Sequence, residues 1–350
     1  MVDYIIVGAG LAGISFADLA LNNHKQVVVY DNNSQNSSNV AGGLYNPVIL
    51  KRFSEVWDAA QQLKEMNDFY SCLANKINVN VDHKMPIYRK FFSVEEQNNW
   101  FTASDKHNLA PFLSTTLHYD AFKGIDAPFG YGEVLHTGYV DTALLLNLYR
   151  AYLKELNLFF EENFHYSNLV FTEYGVEYNG IQAKHIIFAE GFGLHHNPFF
   201  NFLPLDGTKG ELFIIKAPML SVDVIVNTSI FILPLGNDLY KVGATYNWSD
   251  KTNLPTDQGR DELVDRIKEI INCEFQIVKH FAGVRPTVRD RRPLVGTHDQ
   301  YNCIHVLNGL GTRGVMLAPS MAKSLFLSIE ENQPLSTEIN WTRFLKKIKR

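Results

Sequence analysis

Two groups of residues in this sequence have the types and spacing that chemistry needs. The first is Gly8-Ala9-Gly10-Leu11-Ala12-Gly13, a GxGxxG with Ala17 four residues beyond. In such a run Gly8 permits a tight turn and Gly10 lets backbone approach a pyrophosphate, while Gly13 and Ala17 let a helix pack closely on a strand. The helix that follows offers free N–H groups and a positive dipole end to phosphate oxygens. Asp31 stands where a carboxylate can bond ribose hydroxyls. An ordinary tight turn and a solvated aspartate are the bland readings of the same residues. The second group centres on Arg285 in Gly283-Val284-Arg285-Pro286. Its planar guanidinium can hold a carboxylate through two parallel hydrogen bonds, or can pair with a neighbouring acid such as Asp290. No paired-carboxylate or Ser/His/Asp constellation stands out, and the histidines show no metal-ligand spacing, so no metal is expected. His195 and His196 are adjacent, cannot share a helix face, and receive no role.

The glycine run needs a strand before it and a helix after it. Residues 4–7 form a short apolar run suited to a strand buried on both faces, 11–22 continue as a helix, and 26–30 read as a second buried strand ending at Asp31. The polar stretch 32–39 reads as a loop over a ligand. From 54 to 77 the apolar positions Val56, Ala59, Leu63, Met66, Tyr70 and Leu73 keep a helical period, with Ser54 as N-cap. Residues 82–133 show no clear period. Asp141 can cap a helix through Leu144, Leu145, Leu148 and Tyr152. Strand-like pieces follow at 158–160, 169–176 and 185–189. An antiparallel sheet is expected over 210–216, 223–235 and 239–246, with a hairpin turn at Gly236-Asn237-Asp238. A helix over 257–272, a strand over 303–307, a glycine loop over 308–314 and a helix from Val315 complete the chain. This order predicts an α/β, two-domain protein. A Rossmann-like nucleotide domain would be assembled from residues 1–81, 136–204 and 283–350. An antiparallel-sheet substrate domain would come from 82–135 and 205–282.

The 350 residues are 46% hydrophobic and 20% charged, which supports a sizeable core and excludes a disordered chain. A net charge of −5 argues against a dedicated nucleic-acid module. Cys72, Cys273 and Cys303 are odd in number and far apart, which points to a reducing, cytoplasmic setting rather than a disulfide framework. Residues 4–21 are apolar enough to imitate a membrane span, but their glycines and Asp18 read as strand, turn and helix, so no membrane partner is expected.

The remaining glycine turns decide between nicotinamide and flavin dinucleotides. A nicotinamide enzyme would continue after Asp31 with regular βα units; this chain places Ala41-Gly42-Gly43 there, small enough to press against a flat ring system. A second strand ends in Ala189-Glu190-Gly191 and a third in Asn308-Gly309-Leu310-Gly311-Thr312-Arg313-Gly314. Three separated strand-ends suit a long, extended FAD. The last turn opens onto a helix whose N-terminus could stabilise negative charge on a reduced flavin.

On these residues the chain resembles the FAD-dependent D-amino-acid oxidase superfamily, in particular its glycine oxidase-like members. The segments that carry the likeness are VGAGLAG, SSNVAGGLYNP, LPLDGTKGEL, ILPLGNDLYKVGATY, GVRPTVRDRRPLVG and NGLGTRGVMLAP. The last two also resemble the FAD oxidase domain of the bacterial enzyme that processes carboxymethylaminomethyl-uridine in tRNA; no methyltransferase half accompanies them. The resemblance implies FAD contacts from Leu11, Ala12, Asp31, Asn32, Asn36, Ser37, Ala41, Gly42 and Gly43, a backbone contact at Phe164, and a loop beside the flavin at Leu310, Gly311, Thr312, Arg313, Gly314, Val315 and Met316. With Gly8, Gly10, Gly13, Ala189 and Gly191 these form the expected cofactor site. No cysteine matches a covalent attachment point, so the FAD is expected to be non-covalent. Phe231 stands where such members place a substrate-side tyrosine.

The resemblance implies that Arg285 anchors a substrate carboxylate and that Tyr246 lies on the substrate side, where sheet packing is its other reading. Arg313 would hold flavin or substrate oxygens, or sit exposed. The implied reaction oxidises the C–N bond of an amino acid or N-carboxymethyl amine by hydride transfer to flavin N5; the imine is then hydrolysed and O2 serves as acceptor. A tRNA wobble-uridine oxidase and a flavin-binding electron-relay protein are the alternatives. For tRNA, Arg289, Arg291 and Arg292 with Lys346, Lys347, Lys349 and Arg350 would form a basic patch, whose plainer reading is a solvated turn and tail.

Overall fold

Tyr4, Ile5 and Ile6 are fully buried, and the alternation of a strand sends them to two different cores. Tyr4 and Ile6 join a core containing Phe16, Val29 and Phe326, whereas Ile5 and Val7 join one containing Tyr30, Phe188, Phe200 and Trp341. That two-sided burial is why the sequence here is an unbroken apolar run. The computed structural model describes residues 1–119 and 122–345; the basic tail singled out above lies outside the described residues.

Strand Val2–Val7, helix Leu11–Asn22 and strand Val27–Tyr30 make a parallel βαβ unit. Ile181–Phe188 lies on the other side of Val2–Val7, also parallel, and its second half pairs in parallel with Ile304–Asn308. Phe159–Phe160 extends the sheet beyond Val27–Tyr30, and Leu294–Thr297 extends it beyond Ile304–Asn308. Helix Gly314–Glu330 packs against Leu11–Asn22 over this sheet. The carboxyl ends of three parallel strands therefore carry the three glycine turns, at the edge where open α/β sheets bind ligands.

The second sheet has eight strands. In spatial order they are Gln276–Arg285, Thr208–Lys216, Leu239–Gly243, Phe231–Gly236, Ile225–Asn227, Ile87–Lys90, Tyr131–Val134 and Leu113–His118. One face buries Phe213, Ile215 and Val242 against Leu263 and Ile267 of helix Asp257–Lys268. The other face turns Gly210, Leu212, Phe231, Gly243 and Gly283 toward the first sheet's glycine turns. The expected domain break at residue 283 falls inside strand Gln276–Arg285, whose last three residues pair with Gly210, Lys209 and Thr208.

Several expectations are corrected. Ser54 caps no helix: Ser54–Glu55 pairs with Val48–Ile49 as a short antiparallel ribbon, and the helix runs Ala59–Ile77 after Asp58 at φ 51°. The periodicity through Val56 reflects a buried side chain that precedes the helix, between the ribbon strand and the turn at 57–58. The single strand expected over 169–176 is a hairpin, Leu169–Thr172 with Gly175–Tyr178. The strand expected over 223–235 breaks at Thr228, whose backbone and hydroxyl bond Ile230. The unpatterned stretch 82–133 supplies sheet strands and helix Val94–Ser104, capped by Ser93 Oγ accepting from Glu96 N at 3.1 Å. The hairpin turn at 236–238 is present, with φ of 84°, 51° and 60°.

Candidate active site

One cavity of about 490 Å³ runs between the two sheets from the first glycine turn to Arg285. At its first end Gly8 is held by N–H donation to Tyr30 O at 2.7 Å, and a side chain there would meet Ala189 O. Gly13 does not line the cavity; a Cβ on it would lie 1.8 Å from Gly8 O, so it serves the close approach of helix to strand. Gly10, Leu11 and Ala12 line the wall.

Asp31 lines the same end, one carboxylate oxygen accepting from Ala9 N and the other from Asn33 N at 2.7 Å. Arg150, from helix Thr142–Glu155, braces this corner with bonds to Ala9 O at 3.0 Å and Asn33 Oδ1 at 2.9 Å. Asn32 lines the wall while its amide donates to Asn163 Oδ1. Glu190, between Ala189 and Gly191, also lines the cavity; it accepts from Tyr166 Oη and from Asn197 Nδ2 at 2.7 Å. Burial pushes its carboxyl up to about 7 despite those two bonds.

At the far end the Arg285 side chain lies across Gly210, where a Cβ would come within 2.0 Å of Nη2. Glycine at 210 is what makes room for the guanidinium. Arg285 Nη1 donates to Thr245 O at 3.3 Å, and the Tyr246 ring lies 4.7 Å from the guanidinium carbon. Asp290 is bonded instead to Arg343, at 2.8 and 3.2 Å, which removes the ion-pair reading of Arg285. Among the described residues no carboxylate lies within 4.0 Å of the Arg285 guanidinium. Arg285 is partly buried, and that desolvation lowers its pKa.

Ser37, Ala41, Gly42, Gly43, Phe164, Ala189, Gly191, Leu310, Gly311, Thr312, Gly314 and Val315 all line this one cavity, with Tyr246 and Arg285. Four of the expected residues lie off its wall. Gly13 is a packing glycine, as above. Asn36 turns its amide to Ala282 O at 3.3 Å. Arg313 is the partly buried N-cap residue of the last helix. Met316 is 1% exposed, because one further residue of helix rotates it into the core. Sequence reasoning missed Arg150, Glu190, Tyr166 and His196. It also missed Gly210, whose signal is the LPLDGTKGEL segment itself. Phe231 lines the cavity with its ring where a Cβ on Gly42 would be, at 2.7 Å.

The donor set suits a long anionic ligand with a flat end. Helices of 12 and 17 residues, Leu11–Asn22 and Gly314–Glu330, both open their N-termini on the cavity, and neither has a side-chain cap. Leu11 N donates to Ser38 Oγ at 3.4 Å; Ala12 N and Gly314 N, with no acceptor among the described residues, are available to oxygen atoms. Ala41, Gly42 and Gly43 provide a side-chain-poor wall between them. A family model described as FAD dependent oxidoreductase matches residues 3–326. The chain belongs to the FAD-dependent oxidoreductase family. FAD is accordingly its cofactor, and among the described residues no cysteine lines the cavity.

Glycine oxidase of Pseudomonas aeruginosa is 22% identical over 354 residues, covering 95% of each chain. That of Bacillus subtilis is 22% identical over 59% of this chain and 61% of its own length. The crystal structure of glycine oxidase from Geobacillus kaustophilus superposes with a TM-score of 0.77 at 17% identity, covering 96% of both chains. The tRNA 5-methylaminomethyl-2-thiouridine biosynthesis bifunctional protein of Legionella pneumophila is 28% identical over 34% of this chain and 18% of its own length. Among the described residues no helix is long and apolar enough to cross a membrane, and no cluster of three or more His, Cys, Asp or Glu could hold a metal.

Proposed function

We propose that this oxidoreductase oxidises the C–N bond of a small amino acid or N-carboxymethyl secondary amine, giving an imine that water hydrolyses, with O2 as the final acceptor. The observation that carries the reading is the Arg285 guanidinium, desolvated, without a carboxylate partner, and seated at the end of the FAD cavity. A partly desolvated cation without a counter-ion costs free energy that an anionic ligand would offset. FAD, held non-covalently, supplies the two-electron acceptor when bound.

The chain's own part is binding and orientation. The backbone of Gly8, Gly10, Leu11 and Ala12 would hold the diphosphate, and Asp31 the ribose. The wall of Ala41, Gly42 and Gly43 and the turn of Leu310, Gly311, Thr312, Gly314 and Val315 would hold the ring. Arg285 would fix the substrate carboxylate and so aim its Cα–H, an orientation that can lower a barrier by several kcal/mol. Tyr246, on the guanidinium face, restricts the swing of that anchor and closes the substrate side. No acid–base pair is required of the protein if the amine arrives neutral.

The test is anaerobic. FAD-loaded protein is mixed with glycine, sarcosine, proline, D-amino acids and an N-carboxymethyl amine, and the visible flavin absorbance is followed. Loss of absorbance with a carboxylate-bearing amine supports the reading. Bound FAD that none of these amines reduces points to an electron-relay protein instead. The second enzymatic reading, oxidation of a carboxymethylaminomethyl group on tRNA, draws on the partial match above and on exposed Arg289 and Arg291, just beyond cavity-lining Pro286. It requires that tRNA carrying that group, and not the free amines, bleach the flavin.

A further inference from the structure

The segment from Asn32 to Gly43 forms one long wall of the FAD cavity, yet only its residues Ser37–Val40 are helical. Little of its own backbone bonding holds it in place. Arg150, Asn163 and Glu161 hold its first residues from the nucleotide side and Val140 N donates to Gly43 O at 3.0 Å; the rest of its fastening comes from the second sheet. Asn253, on the loop before helix Asp257–Lys268, donates from Nδ2 to Ser34 O at 3.1 Å. Its Oδ1 accepts from Val284 N at 3.2 Å, so the same amide ties the wall to strand Gln276–Arg285. At the other end Lys241, in strand Leu239–Gly243, donates from Nζ to Ala41 O at 3.1 Å. Between them Gly283 lets the strand lie against the wall, because a Cβ there would come within 2.7 Å of Val40 and 3.1 Å of Ser37.

Lys241 is the unusual member. It is only partly exposed, burial lowers its pKa, and among the described residues no carboxylate lies within 4.0 Å of its ammonium. A lysine on a sheet ordinarily carries its charge out to water along a flexible stem. Here the charge is kept inside and spent on one backbone carbonyl of the wall.

We propose that Lys241 and Asn253 are positioning residues for the cofactor: they fasten the two ends of the wall segment from the substrate side, so that the second sheet sets how firmly FAD is held. The inference rests on the FAD reading of the cavity. Neither side chain lines the cavity, so each acts through the Ser34 and Ala41 carbonyls.

The experiment is FAD retention. Apoprotein is titrated with FAD to obtain the dissociation constant, and FAD release is followed by recovery of flavin fluorescence after dilution. Lys241→Met and Asn253→Ala are each expected to weaken binding about tenfold, the size of one hydrogen bond that involves a charged or well-oriented donor. The double variant is expected to lose about a hundredfold, since the two contacts are at opposite ends of the segment. Lys241→Arg, which keeps a cationic donor, restores most of the loss. The apoprotein's thermal midpoint stays where it is in the wild type. Dissociation constants within twofold of wild type in both single variants overturn the proposal. So does a thermal midpoint that falls in parallel with affinity, or a Lys241→Met defect that Lys241→Arg leaves in place. If Lys241→Met does not fold, Lys241→Gln and Asn253→Ala decide the matter by the same measurements. Wild-type protein that takes up no FAD would overturn the cofactor reading underneath, a result distinct from equal retention by wild type and variants.

Discussion

Replacing Arg285 by Ala should separate substrates by whether they carry a carboxylate. Of the five N–H donors of the guanidinium, one reaches a protein acceptor, Thr245 O at 3.3 Å. The rest are without one among the described residues, which leaves a two-pronged face for an anion. Two charge-assisted hydrogen bonds are worth roughly 1.5–3 kcal/mol each. Truncation leaves a gap over Gly210 that water can enter and so recover part of that energy. About 3 kcal/mol should remain lost, or roughly two orders of magnitude in kcat/KM. Stopped-flow reduction of the FAD-loaded variant by glycine or sarcosine, against an amine of the same size without a carboxylate, reads this directly. The carboxylate substrates should slow by that factor and the uncharged amine should change little. Arg285→Lys should recover only part, because an ammonium cannot make the planar two-bond contact or stack on Tyr246 in the same way. Equal losses for both substrate types, with FAD content unchanged, would refute the anchor and leave Arg285 as a support for the sheet.

Three other perturbations follow from contacts described above. Gly13→Ala places a methyl 1.8 Å from the backbone oxygen of Gly8, which cannot rotate away, and should release FAD and lower the melting temperature, measured by flavin content and thermal denaturation. Glu190 titrates at about 7 in the folded protein, above the 4.5 of a free glutamate. The native state therefore binds the extra proton between those values, and its stability falls as pH rises through that window. Glu190→Gln should flatten that fall and melt higher than wild-type apoprotein at pH 8; an unchanged pH profile would show that the carboxyl is already ionised. Ser93→Ala removes the cap of helix Val94–Ser104 and should cost about 1 kcal/mol by denaturant unfolding, with FAD affinity untouched because the helix is remote from the cavity.

The first βαβ unit was legible because its strand is buried on both faces and so writes an unbroken apolar run. Each glycine turn was legible because only glycine meets its backbone demands. Residues 82–133 were not, since their strands are short and half-exposed and leave no clean alternation. The Ser93–Glu96 pairing that begins a helix there was nevertheless present as a capping pattern. In the site, the residues that were found share local motifs. Arg150 and Lys241 escaped notice because each reaches the wall from a helix or strand whose own sequence gives no sign of a ligand. Their roles exist only after two distant segments have met.

The glycines of this site argue for a particular division of labour. A glycine near a cofactor is commonly taken to make space for the cofactor, yet a Cβ on Gly13, Gly42, Gly210 or Gly283 would strike protein: Gly8 O, the Phe231 ring, the Arg285 guanidinium and Val40 respectively. Gly191 and Gly311 differ, since a Cβ there meets nothing closer than 4.0 Å and would project into open space. Most of the glycines therefore act one step back from the ligand. They let two sheets approach closely enough that an arginine, an aromatic ring and a loop wall can occupy the same narrow gap. A substitution at the first set should damage the cavity's shape, and with it both FAD and carboxylate binding. At Gly191 and Gly311 it is the backbone that requires glycine, with φ of 56° and 58°, so an alanine at either should strain the turn itself although its methyl would meet open space.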